Sequence, residues 1–310
     1  MNAVRRPAPR TRPAPRVLVI YKKSAYQIYV RERRHARIQQ LVDAGEPAAL
    51  ALLRAHQDHA RSLEQAKQAL AQLGAAANFR HRSRDAHAKG VDLVVTLGGD
   101  GTLLWASHLV GGDTPIIAIN TAPQDSVGYF CAGKGPEIHG VLEDALAGKL
   151  HETVLTRMQV AIDDRTVSTR VLNDALYSHE CPAATSRYSL KFGRVSEEHK
   201  SSGVWVGPAA GSTAAQHSAG GRVMPVESKQ LQFVVREPYQ PHGIRYQLRK
   251  GFIQPAGVLR IHSNMRAGRL YLDGPHDNHV VEMAATIEFR RSPEPLRLLG
   301  FRGPRGNRRG

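Results

Sequence analysis

Gly98-Gly99-Asp100-Gly101-Thr102 stands directly behind the apolar run 91–97, and a segment of helical character follows it. Three glycines at the carboxyl end of a strand let the backbone turn sharply and leave N–H groups free to approach phosphate oxygens. The helix N-terminus behind them adds its positive end. The carboxyl ends of strands are also where open α/β sheets receive ligands. An aspartate in this setting repels phosphate. Two chemical jobs remain for Asp100: holding a magnesium ion, or taking a proton from an attacking hydroxyl. Thr102 can cap the helix or contact phosphate. The plainer reading is a tight strand-to-helix turn in which Asp100 only starts the helix. The full five-residue run behind a buried strand is more specific than that.

The run resembles the signature of a kinase superfamily that holds NAD kinases, diacylglycerol and sphingosine lipid kinases and, more distantly, phosphofructokinases. The second half of the chain narrows the resemblance. Val171-Leu172-Asn173-Asp174-Ala175 resembles the Asn-acid pair of NAD kinases, and Gly211-Ser212-Thr213-Ala214-Ala215-Gln216-His217-Ser218-Ala219-Gly220-Gly221 is similar to the family's GSTAxxxSAGG segment. Ser212 and Thr213 can start a helix there, while small residues let a flat nucleotide approach the backbone. Lipid kinases usually carry an Asn-Glu pair almost directly after the glycine-rich run, and Leu103-Leu104-Trp105-Ala106-Ser107 has none. The likeness covers most of residues 91–240, Ala118-Ile119-Asn120 and Gly128-Tyr129 included. LNDALYSHECP and GSTAAQHSAGG read like the branch of plant NADH kinases, and the start Tyr21-Lys22-Lys23-Ser24 resembles the strand-ending lysine segment of mitochondrial and plant types. Ser202-Gly203 stands where most bacterial NAD kinases have Asp-Gly, Ala215 where they have Tyr, and Asp174 where they have Glu. The plant branch shares these differences.

The resemblance implies an N-terminal α/β domain with a parallel sheet, a β-rich C-terminal domain, and a site in the cleft between them. It implies transfer of the ATP γ-phosphoryl group to the 2′-hydroxyl of the adenosine ribose of NAD or NADH, giving NADP or NADPH. Gly98, Gly99, Gly101 and Thr102 would cradle phosphates, with Lys22 as a further phosphate contact. Asp100 would accept the hydroxyl proton. Asn173, Asp174, Ser202, Thr213, Ala214, Ser218 and Tyr129 would position the dinucleotide. ATP and magnesium, or another divalent cation, are implied as cofactors, the ion arriving with ATP rather than on protein ligands alone. A dimer or tetramer is implied as the assembly. Ser202 and Ala215, replacing an acid and an aromatic, remove a partner of the cationic oxidised ring, so NADH is expected at least as good a substrate as NAD. Two other readings stand beside this one. A lipid kinase would use basic tails to reach acidic membranes, but the missing Asn-Glu pair opposes it. A non-catalytic dinucleotide sensor is opposed by the retained Asp100.

Other signals carry less chemistry. His56 and His59 lie three apart on a predicted helix with no carboxylate at a ligand spacing, and read as solvated helix residues. His179-Glu180-Cys181 lacks the downstream cysteine pair of a zinc deaminase. Ser218 lacks the first glycine of a nucleophile elbow and falls inside a predicted helix. Trp105 and Trp205 have no basic–aromatic interleaving around them and read as core or pocket wall.

The elements that must position the site follow from periodicity. The β-branched run 17–20 predicts a buried strand. Residues 26–73 read as mostly helical with a break near Gly45-Glu46-Pro47, and Gly74 caps the end. Strands are expected near 78–80, over 91–97 and over 116–120, with helices from Thr102 and from Pro136 to about Gly148. Strands separated by helices imply a parallel sheet covered on both faces. After Leu150 alternating segments such as 167–176, 187–192 and 268–272 dominate. The division is therefore an α/β domain over 16–150, completed by about 292–301, and a β-rich dinucleotide-binding domain over 151–291.

The 310 residues suffice for two domains with cores of their own. Two cysteines exclude a disulfide framework and fit a reducing, cytoplasmic setting. No apolar run approaches membrane-spanning length. The net charge of +16 is concentrated at the two ends, read as disordered basic tails over 1–15 and 302–310; Arg5, Arg6, Arg10, Arg12 and Arg16 within residues 1–16 and four arginines within 301–310 leave +7 for the body. That distribution suits an anionic small molecule and gives no specific nucleic-acid signal.

Overall fold

The computed structural model describes residues 13–82, 88–240, 243 and 245–303. Most of the two expected basic tails, residues 1–12 and 304–310, lies outside the described residues. Strands β1 (Arg16–Tyr21), β2 (Ala76–His81), β3 (Leu93–Gly98) and β4 (Ile116–Asn120) form a parallel array in the order β2-β1-β3-β4. Their apolar runs are explained by burial on both faces. Val17, Val19, Val95, Ile117 and Ile119 pack with Ala66, Ala69 and Leu70 on one side, while Leu18, Ile20, Val94, Ile116 and Ala118 pack with Leu103 and Ala106 on the other. The period of two sends alternate residues to opposite helical layers.

Those layers are α2 (Pro47–Gln72) with α4 (Ile138–Leu146) on one face and α3 (Asp100–Ser107) on the other, while α1 (Ala36–Asp43), without a buried residue, packs on α2. Pro47 opens α2, and Gly74 just past its end takes φ +68°. The helical stretch expected over 26–73 has a second break that its composition does not announce. A π-helical turn, Gln27–Glu32, is separated from α1 at Arg34, whose φ is +49°.

The chain then leaves this sheet through Glu152–Leu155 and returns to it at Leu296–Leu299, which lies parallel to β4 and antiparallel to Glu152–Leu155. Between departure and return are two six-stranded antiparallel sheets. One runs from Val195–Ser201 at its edge to Arg165–Val171; the other runs from Lys250–Ile253 to Asp277–Val281. Their inner faces share one core that includes Tyr177, Tyr188, Phe233 and Phe289, the arrangement of a β-sandwich.

The alternating segment 167–176 is two strands, not one. Arg165–Val171 belongs to one sheet and Ala175–His179 to the other, and the chain crosses between them at Leu172–Asp174. Alternation reports which face a residue takes, not which sheet its strand joins, so periodicity misses the crossing.

Arg157 fastens the departure and return points to α3. Its fully buried guanidinium donates to the carbonyls of Glu294 (2.6 Å), Ser107 (2.9 Å), Val110 (3.1 Å) and Pro295 (3.2 Å). A cation at the carboxyl end of a helix also complements its dipole. Burial lowers the Arg157 pKa to about 10, with Arg170 adding to the shift, so the group keeps its charge at neutral pH.

Candidate active site

The glycine-rich run bridges β3 and α3. Gly99 is the N-cap of α3, Asp100 its first residue, and no side chain caps the helix. Thr102 therefore does not cap. It is 2% exposed, its hydroxyl lies against Gly98, and its N–H donates to the Gly99 carbonyl at 2.9 Å. None of the three glycines adopts a left-handed backbone. Two are required by space: a Cβ on Gly98 would sit 2.2 Å from Thr102 Oγ1, and one on Gly99 2.3 Å from Ser126 Oγ. Gly101 faces open space.

Asp100 is held by the loop after β4. Its Oδ2 accepts the Tyr129 N–H at 2.8 Å and its Oδ1 the Phe130 N–H at 2.9 Å. Asn120, at the end of β4, shapes that loop by donating from Nδ2 to the Ser126 carbonyl at 2.9 Å and accepting the Ala122 N–H at 3.1 Å. A carboxylate has about four acceptor directions, so two stay available on Asp100. The half-buried Tyr129 phenol is pushed above its usual range by burial, with Asp100 contributing.

Lys22 follows β1 on the same edge of the sheet. Burial lowers its pKa, Asp125 opposes that shift, and Arg82 adds to it. Here the reading of His56 and His59 as solvated is corrected. His59 is 4% exposed and bonds Thr121 Oγ1 at 2.9 Å, while His56 bonds Ser24 Oγ at 2.8 Å and stacks on Tyr26. Helix α2 lies over the loops at the sheet edge, so its inward histidines meet polar partners there. Burial is the main cause that lowers the His59 pKa to about 4, with Lys22 second, leaving a neutral ring at physiological pH.

The second turn is the crossing at Leu172–Asp174. Its three N–H groups are all taken up by Asp273, a residue the sequence reading passed over. Asn173 Nδ2 donates to Asp174 Oδ2 at 2.7 Å. Asp174 is 6% exposed, and burial first, then the charge of Asp273, raises its pKa to about 7. The glycine-rich segment rests on this turn. A Cβ on Gly211 would lie 1.7 Å from the Asn173 carbonyl oxygen. The fully buried Gln216, also unflagged by the sequence, donates to that carbonyl at 3.3 Å. Ser212 is buried and internal, donating to the Ala209 carbonyl and accepting the Met224 N–H. Instead of one helix there is a 3-10 turn, Ala209–Thr213, then a single α-turn, Ala215–Ser218. Thr213, Ala214 and Ser218 are exposed along it.

One buried floor joins the two turns. Leu103 and Ala106 of α3, Phe130, Leu172, Ala210 and Phe301 belong to a single apolar cluster. That floor brings Asp100, Tyr129, Asn173, Asp174 and the 211–218 segment onto neighbouring elements. Ser202 does not join them. It lies at the far end of Val204–Pro208, five residues and so roughly 16 Å of strand, from the 3-10 turn. Beside Gly101, a cleft of about 550 Å³ opens between α3 and the bend after Gly268–Leu272, with Leu104, Trp105, His108 and Asp273 among its walls. Among the described residues no three His, Cys, Asp or Glu side chains converge to hold a metal ion, and no helix is long and apolar enough to cross a membrane.

A family model described as the ATP-NAD kinase N-terminal domain matches residues 17–150. A protein of Oryza sativa subsp. japonica named "Probable NADH kinase" is 33% identical over 230 residues, which cover 67% of this chain and 71% of that one. The NADH kinase of Arabidopsis thaliana is 36% identical over 223 residues, 65% and 70% of the two chains. In fold, the chain is similar to the crystal structure of an NAD kinase from Archaeoglobus fulgidus in complex with ATP, with a TM-score of 0.65 at 17% identity, over 91% of this chain and 92% of that one.

Proposed function

This chain belongs to the NAD kinase family, and we infer that it transfers the γ-phosphoryl group of ATP to the 2′-hydroxyl of the adenosine ribose of NAD or NADH. The observation that carries the reading is the pair of turns on one apolar floor: Asp100 at the head of α3, and Asn173–Asp174 beneath Gly211.

Phosphoryl transfer asks a protein for positioning and charge stabilisation more than for covalent chemistry. With the Thr102 N–H taken by the Gly99 carbonyl, the N–H groups of Asp100 and Gly101 face the phosphates at the positive end of α3, and open space at Gly101 lets them approach. Lys22 and Arg82 add positive charge at that edge. Asp100 takes the 2′-hydroxyl proton on an oxygen edge left available by the Tyr129 and Phe130 N–H groups, which fix its orientation. Asn173, Asp174, Thr213, Ala214, Ser218 and Tyr129 hold the dinucleotide. When bound with ATP, a divalent cation such as magnesium would supply charge neutralisation at the phosphates, with Asp100 the carboxylate nearest to hand. The donor set suits an ion that the nucleotide brings, since Asp100 offers one carboxylate and not a cage.

The reading includes NADH as a substrate at least as good as NAD, on the strength of the plant NADH-kinase likeness. It also includes a dimeric or tetrameric assembly and a cytoplasmic setting, which two unpaired cysteines suit. The test is purified protein with magnesium, ATP and either NAD, NADH or a diacylglycerol, following the phosphorylated product. Formation of NADP or NADPH supports the reading. Phosphorylation of the lipid alone would replace it with the lipid-kinase alternative, and dinucleotide binding without turnover would replace it with the sensor.

A further inference from the structure

We propose that Asp273 is a positioning residue for the dinucleotide-binding turn, and that His108 links it to the helix begun by Asp100. The proposal rests on the reading of Asn173–Asp174 as a dinucleotide contact.

Three consecutive backbone N–H groups aimed at one point form a nest, a ready anion site. Here a side chain of the same protein fills it. Asp273 Oδ1 accepts the N–H of Asn173 at 2.6 Å and of Asp174 at 3.0 Å. Its Oδ2 accepts the N–H of Leu172 at 2.8 Å and Nε2 of His108 at 2.7 Å. Each oxygen thus carries two donors, and the carboxylate's acceptor capacity is filled. The Asp273 side chain is 3% exposed, and in return its own N–H donates to the Asp174 carbonyl at 2.9 Å.

The backbone is bent to achieve this. Strand Gly268–Leu272 pairs Leu272 with Ala175, then turns through Asp273 at φ +48° and Gly274 at φ +114°. Aspartate is among the few residues that accept a left-handed conformation readily. His108 is the C-cap of α3. Its imidazole reaches Asp273 while its carbonyl accepts Arg170 Nη1 at 2.9 Å, two residues before the turn. The turn that contacts the dinucleotide therefore cannot shift against the helix that carries Asp100 without breaking charge-assisted bonds. His108 is 25% exposed on the cleft wall, so its removal leaves the core intact.

Steady-state kinetics of the full chain, with melting temperature as the folding control, test this. His108→Ala should raise the dinucleotide KM roughly ten-fold, the size of one hydrogen bond to a charged group, with kcat and the ATP KM within about two-fold. His108→Gln offers an amide N–H to the same oxygen and should recover most of the loss. Asp273→Asn turns an amide NH2 toward backbone donors in either orientation and should cost roughly a hundred-fold in dinucleotide KM. If that variant does not fold, the His108 pair decides. A folded His108→Ala with an unchanged dinucleotide KM overturns the proposal. So does an equal rise for both substrates, or His108→Gln no better than alanine. A wild type that phosphorylates neither NAD nor NADH overturns the functional reading instead, and this inference with it.

Discussion

Two aspartates hold the two turns of the site from opposite directions. Asp100 belongs to its own turn and reaches outward, accepting N–H groups 29 and 30 residues downstream and so ordering the loop that faces it. Asp273 belongs elsewhere and reaches inward, supplying a carboxylate to a turn 99–101 residues upstream. The first turn is a local device whose charge remains partly available for chemistry. The second is a remote clamp whose charge is fully consumed. The proposed proton transfer needs the reserve that Asp100 keeps, whereas the proposed dinucleotide contact leaves Asp273 free to spend all of its own.

The sharpest way to break this contrast is Asp100→Asn. The amide cannot take the hydroxyl proton, so kcat should fall by about 10²–10⁴ while dinucleotide binding persists. Near-normal turnover would reduce Asp100 to an organiser of the Tyr129 loop and make the two aspartates alike.

Asp174 tests the second turn through pH. Its pKa is near its ordinary 3.8 in the unfolded chain and about 7 in the folded one. Between those values the folded state holds a proton that the unfolded state has released. Stability should therefore decline as pH rises from about 4 to about 7. Asp174→Asn should be the more stable protein at pH 8, by on the order of 2–4 kcal/mol, with the gap closing toward pH 4. Urea unfolding at pH 4.5, 6 and 8 measures it, and a gap independent of pH would contradict the assignment.

Two glycine substitutions compare how the turns use space. Gly211→Ala drives a methyl into the Asn173 carbonyl and should destabilise by about 3 kcal/mol, at the upper end for overpacking. Gly101→Ala meets nothing and lies in a helix, where the exchange gains up to about 1 kcal/mol. Its melting temperature should hold or rise while the ATP KM increases, because the methyl occupies the phosphates' approach. Unchanged kinetics would remove Gly101 from the site.

The smallest effect is expected at Ser202. Its distance from the Asn173 turn within the chain predicts that Ser202→Asp leaves the NADH-to-NAD ratio of kcat/KM within about two-fold. A large swing toward NAD would restore the role that the sequence suggested for it.

The sequence made the first turn legible because its parts are contiguous. A buried strand, a glycine-rich run and a helix start announce themselves within residues 91–102, and β4 keeps its expected limits, Ile116–Asn120. The plan of a parallel sheet followed by β-rich segments was legible for the same reason. The crossing at Leu172–Asp174 was not, because its cause is Asp273. The only local trace of that residue is Asp-Gly after the alternating Leu270-Tyr271-Leu272, which reads as an ordinary turn. Gln216 and His59 were missed on similar grounds: their partners, Asn173 and Thr121, are 43 and 62 residues away. Ser202 shows a different limit: its motif does not announce that Val204–Pro208 carries it to the opposite end of the strand from the 3-10 turn.

The return of Leu296–Leu299 to the first sheet has a consequence for synthesis on the ribosome. That strand separates β4 from Glu152–Leu155, so the sheet begun at Arg16, joined beside β4 only by the two-residue strand Gly133–Lys134, is not completed until Leu296–Leu299 has been made. The last strand of the sandwich ends at Arg291, so the sandwich and the returning strand Leu296–Leu299 leave the ribosome almost together. Until then the nascent chain carries an apolar strand edge paired only at Ile119 and Asn120, the kind that recruits other chains. Early termination before Leu296 leaves the Ile116 end of that edge permanently bare.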